Sequence, residues 1–130
     1  MTNSELSDLE NKEILVTGGC CFIGSEIVKQ LSLAGANVTI IDNLSSGKEK
    51  YIQGLSNVKL ITADLLDDDA IKSAVKDKEY VINNAALPFI PDSYYIPKKF
   101  FDVNVNATIS QALAVLKEKK AKRFVHTSSS

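Results

Sequence analysis

The stretch that most constrains this chain is residues 14–24, ILVTGGCCFIG. An apolar run breaks into glycines and then opens a helix-periodic segment, the pattern of a strand, a tight turn and a helix N-terminus. A helix N-terminus presents unpaired backbone N–H groups and about half a positive charge, which suits a phosphate. Glycines in such a turn let the backbone approach a ligand with no Cβ in between. The apolar residues of 13–17 are consecutive rather than alternating. That composition fits a strand buried on both faces of a parallel sheet.

The rest of the chain repeats this alternation. Ile23, Ile27, Leu31 and Ala34 lie on one face of a helix over 22–34, with Gly35 as its C-terminal cap. Further strands are expected over 37–41, 58–62, 79–82 and 122–127. A short helix is expected over 47–55, and another over 67–75, where Asp67, Asp68 and Asp69 load the first turn. Residues 98–119 form the longest periodic segment, with Phe101, Val105, Thr108, Ala112, Val115 and Leu116 on one side. Residues 87–97 hold all three prolines and read as an irregular loop. Residues 1–11 read as a loose lead-in, with Leu6 and Leu9 packing back on the surface. The fold class is therefore α/β: a doubly wound parallel sheet of order 3-2-1-4-5, with right-handed crossovers. It forms one domain over 12–130, ending after the fifth strand.

Composition excludes several classes. The net charge of −1 gives no basic excess for nucleic acid. No apolar run reaches the ~18 residues of a membrane span. The opening MTNSELSDLE is polar and acidic, unlike a signal or transit peptide. Cys20 and Cys21 are adjacent, which rules out an ordinary structural disulfide. Neither they nor the single His126 form a metal site, so no metal is expected. A reducing, cytoplasmic compartment follows as the expectation.

In a parallel α/β sheet, ligands bind at the carboxyl ends of the strands. Those ends carry Thr17 and Gly18, Asp42, Asp64, Asn83 to Ala86, and Ser128 to Ser130. Asp42 ends the strand after the glycine turn, where an acid takes a ribose 2′-hydroxyl and repels a 2′-phosphate. NAD is thus favoured over NADP. His126 reads as a packed or half-exposed strand-end residue, and the lysines of 117–122 as a solvated helix end.

TGGCCFIG resembles the TGGxGFIG fingerprint of the extended short-chain dehydrogenase/reductases, the NAD-dependent sugar epimerases and dehydratases. The resemblance runs over nearly the whole chain and implies a Rossmann-type fold. It implies cofactor contacts at Gly18, Cys21 and Gly24, with Phe22 and Ile23 as packing residues of the fingerprint. It implies ribose contacts at Asp42 and Asn43, adenine contacts at Asp64 and Leu65, and a nicotinamide-ribose floor at Asn84, Ala85 and Ala86. Asn104, in NVNAT, resembles the family's active-site asparagine. The strand over 124–129 resembles the one that ends at the catalytic Ser or Thr, here Ser129, with Ser130 as the alternative. The implied partners are a nucleotide-sugar substrate and a second copy in a homodimer of the intact protein.

The chain departs from the family pattern in places. Cys21 stands where the family has the glycine that touches the pyrophosphate. A side chain there adds a clash, and a backbone cost of roughly 1–2 kcal/mol if φ is positive. Asn83 and Asn84 replace His and Leu, and Ala107 replaces a helix glycine. The family's Tyr-x-x-x-Lys follows the serine strand and is not in this chain. Tyr94 with Lys98, and Tyr95 with Lys99, match its spacing by chance, since they precede that strand and Pro97 interrupts any helix between them. The chain alone is therefore expected to be inactive. The alternative reading is a catalytically dead dinucleotide-sensing or interaction module.

Overall fold

The computed structural model describes residues 7–128, so Leu6, Ser129 and Ser130 lie outside the described residues. The sheet is parallel and five-stranded, in the expected order β3-β2-β1-β4-β5. The strands are β1 Glu13–Thr17, β2 Asn37–Asp42, β3 Val58–Thr62, β4 Tyr80–Asn83 and β5 Arg123–His126. Helix α1 (Phe22–Leu33) follows β1, and α2 (Asp68–Val75) follows β3. The Asp67 side chain caps α2 by accepting from the N–H groups of Asp69 and Ala70. A 3-10 turn over Glu49–Ile52 stands where a short helix was expected.

The central strands alternate between two cores, as a sheet covered on both faces requires. Ile14, Val16, Val38 and Ile40 pack with Val28 and Leu31 of α1. Leu15 and Ile41 face the other way, with Ile71, Val75, Ala107 and Val115.

Three sequence expectations change. The fully buried face of α1 is Gly24, Val28, Leu31 and Ser32; of the expected face, Leu31 is buried and Ile27 packs partly buried on the first core, whereas Ile23 is exposed. Gly24 has no side chain, so the helix approaches β1 on that side. Residues 87–97 are not wholly irregular, because Ile90–Ser93 forms a single helical turn, α3. The long segment after it comprises α4 (Pro97–Phe101), a π turn (Asp102–Asn106) and α5 (Ala107–Leu116). The Ala107 N–H reaches back five residues to the Asp102 carbonyl. The extra residue rotates the positions before it by about 100° against those after it. A single apolar stripe therefore cannot run through the whole segment. Ala107, Gln111 and Val115 are buried, whereas Phe101, Val105, Ile109, Leu113 and Leu116 are exposed.

Candidate functional site

Strand register assembles the site. Thr17 lies opposite Ile41 on one side and Asn83 on the other, so the carboxyl ends of β1, β2 and β4 stand side by side. Gly18 follows with φ +68°, and a Cβ there would stand 2.8 Å from Ala85 Cα. At Gly24 a Cβ would lie 2.0 Å from the Gly18 carbonyl oxygen. These two positions let α1 begin directly over the strand ends.

Cys21 is the N-cap of α1, with φ −84° and ψ 177°. This is extended backbone, so the left-handed strain considered for a side chain there does not arise. The thiol turns back on the helix. The Gly24 N–H donates to its sulfur at 3.3 Å, and Asn84 Nδ2 donates to it at 3.4 Å. One of the helix's unpaired N–H groups is thereby engaged by the chain itself. Cys20 is fully buried, and burial, with the Asp42 carboxylate adding to it, pushes its thiol up to about 11. It stays protonated at neutral pH, a state that makes a poor nucleophile. Phe22 is 90% exposed and Ile23 58% exposed, so neither belongs to a core cluster among the described residues.

Asp42 is 8% exposed and takes only neutral donors. Its Oδ1 accepts from the Leu44 N–H at 2.8 Å and its Oδ2 from the Cys20 N–H at 3.0 Å. The second bond ties the end of β2 to the glycine turn. Each carboxylate oxygen keeps further acceptor capacity. Asp64 Oδ1 accepts from the Leu66 N–H at 2.9 Å, and its Oδ2 accepts from Asn43 Nδ2 at 3.4 Å. The segments after β2 and β3 are thereby joined. Leu65 is buried in the second core.

Beyond β4, the N–H groups of Asn84 and Ala85 both donate to Thr17 Oγ1, at 3.2 Å each. Ala86 follows, exposed. Asn104 lies in the π turn and clamps the Leu87 backbone. Its Oδ1 accepts from the Leu87 N–H at 2.8 Å, and its Nδ2 donates to the Leu87 carbonyl at 3.2 Å. Single wide turns of this kind recur at functional sites. Tyr94 and Tyr95 lie before a non-helical break at Ile96 (φ −131°, ψ 54°), and Lys98 and Lys99 lie after it in α4. Neither Tyr–Lys pair shares a helix. Sequence reasoning placed Thr17 and Asn83 at the ligand end of the sheet but assigned neither a role in the site. The available signal was a buried polar residue at the end of each of two strands.

This end of the sheet can hold an anion at the start of α1 and accept hydrogen bonds from a diol at Asp42. Both match the glycine turn and acidic residue by which a dinucleotide is bound. Among the described residues, no group of three or more His, Cys, Asp or Glu side chains could hold a metal ion. No helix among them is long and apolar enough to cross a membrane.

Comparison with known proteins agrees with this geometry. Residues 14–130 match the NAD dependent epimerase/dehydratase family. A UDP-N-acetyl-alpha-D-glucosaminuronate decarboxylase of Bacillus cytotoxicus is 33% identical over 118 residues, covering 90% of this chain and 37% of that protein. An epimerase structure from Methanothermobacter thermautotrophicus superposes with a TM-score of 0.91 at 34% identity, covering 97% of this chain and 38% of the other. The Bordetella bronchiseptica enzyme WbmF, solved in complex with NAD+, gives a TM-score of 0.86 at 26% identity, covering 94% of this chain and 37% of the other. The chain thus spans less than two fifths of the length of these relatives. By family match, sheet topology and glycine turn together, this chain belongs to the NAD-dependent epimerase/dehydratase family.

Proposed function

We propose that this chain is the NAD-binding portion of a nucleotide-sugar epimerase or dehydratase. The observation that carries this reading is the hydrogen bond from the Cys20 N–H to Asp42 Oδ2, which joins the glycine turn to the acid at the end of β2. Gly18, Cys21, Phe22, Ile23 and Gly24 would line the pyrophosphate. Asp42 and Asn43 would take the adenosine ribose, and Asp64 and Leu65 the adenine. Asn84, Ala85 and Ala86 would lie beneath the nicotinamide ribose. The Asp42 carboxylate would repel a 2′-phosphate, which favours NAD over NADP. Bound NAD supplies the acceptor for a hydride taken from the sugar and later returned. This chain's own groups orient that exchange: Asn104 holds the Leu87 backbone, and Ser129 would hydrogen-bond the sugar oxygen. The chain alone would lack turnover, because neither of its Tyr-x-x-x-Lys pairs shares a helix in which the lysine could activate the tyrosine.

The exposed apolar side chains of Phe101 in α4, Val105 in the π turn, and Ile109, Leu113 and Leu116 in α5 support a homodimer of the whole protein through this segment. The two free thiols, Cys20 and Cys21, fit a reducing cytoplasm. A second reading, a dinucleotide sensor or interaction module without turnover, is favoured by one observation. The Cys21 thiol engages the Gly24 N–H that a phosphate would use.

The test is a calorimetric titration of NAD into this chain and into Cys21→Gly. Both should bind, with the glycine variant tighter by up to about tenfold, the worth of one recovered hydrogen bond. Failure of both overturns the reading. Turnover of UDP-glucose by the chain alone overturns its inactivity.

A further inference from the structure

Asn83 is 1% exposed and makes three side-chain hydrogen bonds across four segments. Thr17 Oγ1 lies 2.9 Å from Asn83 Oδ1, and Asn83 Nδ2 lies 3.0 Å from both Thr108 Oγ1 and His126 Nδ1. Counting hydrogens fixes every direction. The Thr17 oxygen already accepts from the Asn84 and Ala85 N–H groups, so its one hydroxyl hydrogen goes to Asn83 Oδ1. The Thr108 hydroxyl donates to the Asn104 carbonyl at 3.0 Å, so its oxygen accepts from Asn83 Nδ2. The carboxamide cannot flip without breaking both bonds. Its second N–H then points at His126 Nδ1, which must be an unprotonated acceptor.

We infer that Asn83 is a positioning residue that locks His126 as the Nε2–H tautomer and ties it, through Thr108, to the Asn104 clamp on Leu87. The network spans the ends of β1, β4 and β5 and the π turn. It therefore holds the Ala85–Ala86 floor and the Asn104 bulge in one arrangement. His126 is an exposed residue at the end of β5 rather than a packed one, and its ring nitrogen takes the last donor hydrogen of the Asn83 carboxamide. A chain of hydroxyl, carboxamide and imidazole with every donor assigned holds its members more tightly than any single bond would. The tautomer lock stands on this geometry alone. The positioning role rests on the NAD reading above.

His126 is the only histidine, so its ring can be followed without ambiguity. In the 15N-labelled chain, long-range proton–nitrogen correlation should show Nε2 carrying the proton and Nδ1 bare, with one set of shifts. In Asn83→Asp the carboxylate can only accept, so the proton should move to Nδ1. Thr108→Val keeps the side-chain shape and removes the hydroxyl. It should leave the ring as in the wild type, speed exchange of the Leu87 amide about tenfold and weaken NAD several-fold. A proton on Nδ1 in the wild type, or shifts averaged between two tautomers, overturns the lock. Unchanged Leu87 exchange in Thr108→Val overturns the coupling. Faster exchange with unchanged NAD affinity overturns the positioning role. If Asn83→Asp does not fold, the wild-type ring and Thr108→Val decide. If the wild type does not bind NAD, the functional reading fails, while the ring still decides the lock.

Discussion

The two ends of the sheet are built from opposite chemistry. At the amino ends of the strands, charge meets charge. Lys78 Nζ lies 3.1 Å from Glu13 Oε2, and Glu79 Oε1 lies 2.8 Å from Lys122 Nζ and 3.6 Å from Lys12 Nζ. Glu79 also accepts from the Glu13 N–H, and Asn37 donates to Glu13. At the carboxyl ends, the Asp42 and Asp64 carboxylates are met by neutral N–H groups, and Thr17 and Asn83 by neutral donors and acceptors. An open concavity of about 410 Å³ lies at the amino end, lined by Glu13, Asp77, Glu79 and lysines, most of them paired off. Concavity alone therefore does not identify a site. The end that can bind is the one whose acids keep unused acceptor capacity beside a helix N-terminus.

The most disruptive change at the binding end should be Gly24→Ala. Its Cβ would meet the Gly18 carbonyl oxygen at 2.0 Å, and backbone must move to admit it. A loss of about 3 kcal/mol is expected in denaturant titration, with NAD binding gone. Asp42→Asn should weaken NAD about tenfold and narrow the gap between NAD and NADP, both read by calorimetry. If NADP binds no better relative to NAD, Asp42 is not the ribose acid.

Gln111 lies between these two ends, on α5. It is fully buried, its Nε2 donates only to the Ala107 carbonyl, and its Oε1 has no hydrogen-bond partner among the described residues. Gln111→Met removes the unsatisfied atom at similar volume. It should be neutral or stabilising by up to about 1 kcal/mol, seen as a higher Tm with NAD affinity unchanged.

The smallest effect is expected at the amino end. The Lys122 hydrogen bond, followed by that from the Glu13 N–H, holds the Glu79 carboxyl below its ordinary range. Its contribution is present above the unfolded carboxylate value of about 4.3 and is lost as pH falls through the lower folded value. The same contact raises Lys122, whose contribution is present below its unfolded value and lost as pH rises through the folded one. Glu79→Gln should flatten the acid limb of a stability–pH curve while NAD affinity at neutral pH stays unchanged. Loss of NAD binding in that variant would break the division between the two ends.

The β–α alternation, the strand order, the glycine turn and the acid at Asp42 were all readable along the chain, because each is a local pattern of period, breaker and spacing. Residues 14–24 alone constrained the fold to a strand feeding a helix over a phosphate-sized turn. Other features needed three dimensions. The rotated face of α1 follows from Gly24 meeting Gly18, and the broken stripe of 98–119 follows from one extra residue in a π turn. The backbone of Cys21 is extended because its thiol caps the helix, a choice no spacing rule encodes. Thr17, Asn83, Thr108 and His126 are scattered over more than 100 positions and meet only where parallel strands end in register. Sequence by itself determined the β–α alternation, the strand order and the end of the sheet where a ligand would sit. Tertiary structure decided which polar groups there face one another, because hydrogen-bond direction depends on contacts between distant residues.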